Sequence, residues 1–362
     1  MEVHSRGSLY LHVPKVTFKR LHIDGSGESV TFSTYSGPYT TEIDAPITLY
    51  PGEVTFSGRG GRGFIFTKEI DGHANVVCKP NMANSQPFSL SFQTANTNFT
   101  GSFTFTGYTN DYDVATGVDN MPRVTLNDGR NLGGVYEGEN AWRALTFANY
   151  VYVTAAADLD FTEPTRGFYV AGGARLDVGE GKTVRIGAPF TFAGELVKLG
   201  AGRLVLGGPA RFIDGAAETA PLAGTNVLTV SAGTVGVAAT NALDGVAVSF
   251  ASGTALSVDP GTADADVLNY GAVCLKWATP FTVEGGGALP VTFATDYAPD
   301  GVRPRFDVAI CTVSSTVAQS LSIAPQNGYR GYRLMIKSRT NADGTVTFVA
   351  CFTRRAMTVS FR

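Results

Sequence analysis

Charge is what this chain has least of. Only 16% of its 362 residues are Asp, Glu, Lys or Arg, against about a quarter in an ordinary globular domain. The net charge of −3 leaves no basic field of the kind that attracts nucleic acid or anionic lipid, so no nucleic-acid partner is expected. Helical periodicity is nearly missing as well. "GENAWRALTFANY" (138–150) reads as one or two turns at most, and its Phe, Tyr and Val continuation favours a strand. No apolar run reaches the 18 residues of a membrane helix, and "MEVHSRGSLY" lacks the apolar stretch of a secretory signal. The expectation is a soluble chain that does not insert in a membrane and belongs to something longer.

Cysteine is sparse too. Cys78, Cys274, Cys311 and Cys351 stand far apart with no C-x-x-C among them, which removes the usual zinc and redox spacings. Each sits in an apolar, strand-like context and reads as a buried small hydrophobe. A disulfide between two of the last three is the alternative.

What is abundant is glycine, 43 residues, together with Val, Thr, Phe and Tyr. Short alternating runs such as "EVTF" (53–56), "GSFTFTG" (101–107), "GRLVL" (202–206) and "VAVSF" (246–250) follow one another with glycine or double-glycine breaks. Their period of two assigns the chain to the all-β class. Very short strands closed by glycine corners suit a solenoid, in which each coil is unstable alone and stacks on the last. Two modules, about 16–110 and 144–260, repeat loosely, with Lys79 and Lys198 in matching places. After residue 265 prolines multiply, and "YRGYRLMIKSRTNADGTVTFVACF" reads as a hairpin around "NADG" (341–344). The expected organisation is a β-solenoid over 1–265 and a small antiparallel β cap over 266–362 that hides its last edge.

One stretch is more specific. In "GELVKLGAGRLVLGG" (194–208), followed by "SAGTVGV" (231–237), Gly194, Lys198, Gly200, Gly202, Leu204, Leu206, Gly208 and Gly233 form a pattern. It resembles the autotransporter-associated β-strand repeat, with Val235 where that family favours leucine. The resemblance implies a right-handed parallel β-helix, exported to a bacterial surface or secreted as a passenger or adhesin-like segment. From the residues themselves, Leu204 and Leu206 are expected inside the coil. Gly200 and Gly202 are expected to supply the positive φ of a corner. Lys198 is expected to lay its stem along the wall with its ammonium in water.

Chemistry-bearing motifs are few. A dinucleotide fingerprint would need glycine where Val205 stands, and a P-loop would need it at Leu176; both segments continue as strands. The oxygen-rich loop Asp111, Asp113, Asp119, Asn120 is a weak calcium candidate, short of an EF-hand because Ala115 and Pro122 occupy ligand positions. His4, His12, His22 and His73 read as surface residues, so no metal and no cofactor is expected. Asp158, Asp160 and Glu163, with Arg166, form the densest acidic cluster and would be the site if the chain were a polysaccharide lyase or glycoside hydrolase. Exposed aromatics, Trp142 and Trp277 among them, could stack on sugars, while most Phe belong inside the coils. The sequence therefore favours a non-enzymatic binding segment whose partners are glycans or cell-surface proteins. A carbohydrate-active β-helix is the first alternative and a viral or phage fibre module the second.

Overall fold

The computed structural model describes residues 1–3, 7–26, 29–34, 40–58, 61–80, 87–107, 112–113, 118–119, 121–187, 190–207, 210–214, 217–219, 226–237, 243, 246–258, 275–277, 281–283, 288–293, 305–328 and 331–354. It is a parallel β-solenoid. Successive coils run through strands such as Ile47–Tyr50, Glu53–Gly58 and Gly63–Phe66, then Ile70–Gly72, Asn75–Pro80 and Ser89–Phe92. Each strand pairs in parallel with its counterpart one coil on, as Ile47 with Ile70, Val54 with Val76, and Phe64 with Leu90.

The alternating pattern explains the packing. One inward row on the sheet runs Val30, Val54, Val76, Phe103, Leu145, Phe168, all buried. A second row, two positions on, runs Phe32, Phe56, Cys78, Phe105, Phe147. Rings pack coil to coil along the axis, with centroids 5.4 Å apart for Phe105–Phe147, 4.6 Å for Phe147–Phe168 and 5.7 Å for Phe168–Phe190. Such spacings lie in the favourable range for aromatic pairs. Most Phe are inside the coils, as their alternation implied.

The third face of the prism is uneven. It is a parallel sheet at the N-terminal end (Glu2–Val3, Leu21–Asp24, Ile47–Tyr50, Ile70–Gly72) and again from Leu159–Phe161 onward. Between these, in 93–101 and 127–144, it has no strand and a single bridge, Gly72 to Phe99. In 138–150, read from sequence as a strand in preference to one or two helical turns, the 3₁₀ segment Ala141–Arg143 leads straight into strand Leu145–Ala148.

The parallel ladders continue past residue 265, pairing Val248 with Phe281, Leu256 with Val291 and Leu289 with Ile323. The end is closed by an antiparallel sheet in which Val346–Arg354 lies between Arg305–Val313 and Tyr332–Thr340. The hairpin turn is where "NADG" put it, with Gly344 at φ +79°. Phe352 of this sheet meets Phe293 of the last coils edge-on at 5.1 Å. Among the described residues the one α-helix is Ser315–Ser320, capped by the Ser314 hydroxyl, which accepts from the Val317 N–H. Within this sheet Cys311 lies opposite Phe348 and Cys351 opposite Asp307, so these two do not face each other, and Cys351 is a free thiol. Cys274 lies outside the described residues.

Candidate functional site

The repeat motif is structural, with two corrections. Leu204 and Leu206 are buried as expected. Gly200 has φ +72° and Gly233 φ +69°, but Gly202 is not in the left-handed region. Glycine is needed at 202 for space, since a Cβ there would lie 2.2 Å from the Gly179 carbonyl oxygen. Gly194 lies opposite Gly172 in the ladder, and Gly208 is outside the described residues. Lys198 does not reach water. It is fully buried, and its Nζ donates to the carbonyl oxygens of Gly200 (2.6 Å), Gly202 (2.6 Å) and Ala232 (2.9 Å). One ammonium thus serves three corner carbonyls, of which that of Gly202 also accepts from the Thr234 N–H. Lys79, its sequence counterpart, is exposed, so the two lysines do different work.

The acidic cluster is only partly assembled. Asp160, Glu163 and Arg166 line one cleft of about 770 Å³ with Asp128 and Arg130. Asp158 is absent from that lining and instead accepts from the Thr183 N–H at 2.7 Å. Asp160 accepts from the N–H of Thr162, and Glu163 from the hydroxyl of Thr165, so both brace their own loop. Arg166 is buried. Its Nε donates to the Gly134 carbonyl at 2.7 Å and its Nη2 to that of Phe99 at 3.1 Å. Burial draws its pKa down to about 10, against the pull of Tyr136 and Glu163, so it stays cationic at neutral pH. Two of its nitrogens thus clamp the chain to backbone carbonyls, while its buried Nη1 has no hydrogen-bond partner.

Arg166 belongs to a set. Where the third face lacks strands, buried Asn96 accepts from the Ile70 N–H at 2.7 Å and donates to the Asn131 carbonyl. Asn131 in turn accepts from the N–H groups of Asn127 and Asp128 and donates to the Thr94 carbonyl at 2.8 Å. These side chains replace the missing ladder. They fix the segment around residues 131–140, whose Gly134 and Glu137 N–H groups reach the carbonyls of Phe99 and Thr100.

That segment forms the wall of a second cleft, about 830 Å³, on the outward side of the long parallel sheet. Its floor is one register row, Val77, Thr104, Thr146 and Tyr169, with Glu53, Asn75 and Ser102 on the row two positions away. Its wall carries Tyr136, Glu137, Glu139 and Arg143. Ser102 donates to Asn75 Oδ1 at 2.9 Å, and His73 Nδ1 shares a 3.1 Å hydrogen bond with the Thr100 hydroxyl. Tyr169 is held edge-on against Trp142 at 5.1 Å, and the Arg143 guanidinium lies 5.3 Å from the Trp142 ring. Partial burial raises the Tyr169 phenol, against Arg143. A third cleft of about 480 Å³ adjoins on the same strands, with Tyr10, Ser33, Ser57, Lys79 and Thr106.

Of these groove residues the sequence singled out His73 and Lys79, together with Trp142 behind Tyr169, and placed none of them in a groove. Of the calcium candidates, Asp113 and Asp119 fall on the two-residue antiparallel strands Tyr112–Asp113 and Val118–Asp119, while Asp111 and Asn120 lie outside the described residues. Among the described residues no group of three or more His, Cys, Asp or Glu could hold a metal ion, and no helix is long and apolar enough to cross a membrane. Comparison with protein families, with characterised proteins and with solved structures finds no match.

Proposed function

We propose that this chain is a non-enzymatic binding segment of the autotransporter-passenger type, displayed on a cell surface or secreted, whose long sheet face takes glycans. The resemblance of residues 194–208 to the autotransporter-associated repeat supports the export part of this reading. One observation carries the binding part: a hydroxyl-lined groove on the stiff sheet, with Tyr169 backed by Trp142 at its edge. Sugars are held by such pairings of aromatic faces with hydroxyl, amide and carboxylate partners.

The hydrogen bonds of Asp158, Asp160, Glu163 and Arg166 to their own surroundings favour the non-enzymatic reading over the carbohydrate-active one. The test is to incubate the protein with a panel of surface polysaccharides and follow both binding and release of new chain ends. Binding without cleavage is expected. Cleavage that disappears in Glu163→Gln would overturn the non-enzymatic reading, and absence of binding to any glycan would overturn the glycan reading.

A further inference from the structure

The two clefts lie on neighbouring strands of the outer sheet face, and their chemistry selects a ligand class. They share strands: Thr31 and Thr55 of one lie in the same register row as Val77 and Thr104 of the other. Tyr10 pairs in register with Ser33, which pairs with Ser57, beside the Thr55 row. The strands of Tyr10 and Tyr169 are the first and last of seven, six spacings of about 4.8 Å, so the two clefts together reach over about 29 Å along the solenoid axis. That length suits a chain of sugars rather than a single one.

Its two ends carry aromatic rings, Tyr10, which is 53% exposed, and Tyr169 against Trp142. Between them half-buried Thr31, Ser102 and Thr104 present hydroxyls, Ser102 donating to Asn75, while Ser33, Thr55 and Ser57 are buried beneath the surface. Charges of both signs are interspersed: Glu53, Glu137 and Glu139 against Lys79 and Arg143. A polyanionic glycan would bring repeated negative charge against three carboxylates, and a polycation would meet the lysine and arginine. An uncharged chain meets neither penalty and can satisfy both kinds of partner with its hydroxyls.

We infer that the ligand is a neutral polysaccharide laid along the solenoid axis, across the strands, with sugar rings stacked on Tyr10 at one end and Tyr169 at the other. This rests on the glycan reading above. The test uses the full chain and measures affinity for neutral oligosaccharides of increasing length, for a neutral polysaccharide, and for a polyuronate and a sulfated glycan, with Tyr10→Ala and Tyr169→Ala beside the parent. Affinity should rise with oligomer length until the groove is filled, and each variant should lose about tenfold on long chains. Binding sensitive to only one of the two tyrosines would overturn the continuous groove, while the glycan reading stands. Preference for the polyuronate or the sulfated glycan would overturn the neutral class and again leave that reading in place. Circular dichroism and an unchanged melting temperature show that each variant is folded, so a loss of affinity reports the groove.

Discussion

The third face of the solenoid is built in two ways. From Leu159 onward it is a regular parallel ladder with an aliphatic lining, Leu204, Leu206, Val235, Val237 and Leu256, and corners closed by glycine. Between Gly72 and Leu159 the strands lapse, the neighbouring coils are filled with phenylalanine, and buried Asn96, Asn131 and Arg166 take over the backbone partners. Both stretches obey the same rule, that buried carbonyls and N–H groups must be paired. Lys198 is the exception within the ladder, since even a regular stack leaves corner carbonyls over. The irregular stretch gains something the ladder lacks. Its chain is free to rise beside the sheet as a wall, and the groove forms against that wall.

Several substitutions would break or sharpen this contrast. The largest effect is expected at Phe103, fully buried among Phe92, Phe99 and Phe105 beside the irregular stretch. Phe103→Ala should cost about 3–5 kcal/mol in denaturant unfolding, through lost burial and the cavity left behind. Arg166→Met should cost about 3 kcal/mol, because two buried carbonyls lose a charged donor. It should also weaken glycan binding, since Arg166 positions the wall through Gly134 without lining the groove itself. Equal stability loss with unchanged binding would show that the wall does not contribute to the site.

Lys198→Met probes the regular ladder and should cost about 2–3 kcal/mol, as three carbonyls lose their common donor. Its signature is a pH dependence. Burial outweighs the opposing pull of Asp177 and brings the ammonium down to about 8 from 10.5. Between those values the unfolded chain binds a proton that the folded chain has released, so this group makes stability rise with pH across that window. Below pH 8 both states are protonated and its contribution is flat. Unfolding midpoints taken from pH 7 to 10.5 should show the rise in the parent and not in Lys198→Met. The smallest stability effect is expected for Tyr169→Ala, within about 1 kcal/mol by thermal melting, because the ring is only partly buried and lies on the outer face.

Much of the fold was legible in the chain. The period of two, the glycine spacing and Leu204 and Leu206 led directly to stacked short strands with those leucines inside. The polar interior was not legible, since a buried Lys198 and an exposed Lys79 follow equally apolar strands. What separates them is the convergence of three carbonyls from two coils, one of them 34 residues along the chain from the lysine. The buried position of Arg166 was hidden for the same reason. Its acidic neighbours in sequence suggested substrate chemistry, whereas its partners Gly134 and Phe99 lie 32 and 67 residues away. The groove was hidden because its floor draws one residue from each coil, and coil lengths vary, so Val77, Thr104, Thr146 and Tyr169 share no sequence period. The asparagines in "TANTNF" (94–99) and "NDGRNLGG" (127–134) were the available signal, polar residues repeated where strands were missing.

The most direct test compares hydrogen exchange of the full parent chain with that of Arg166→Met. If buried side chains hold the irregular stretch and its wall, amides of Phe99, Gly134 and Glu137 should lose protection in the variant, while those of Val184–Ile186 and Leu204–Leu206 keep theirs. Unchanged protection at Gly134 and Glu137, or a uniform loss through the whole stack, would contradict it.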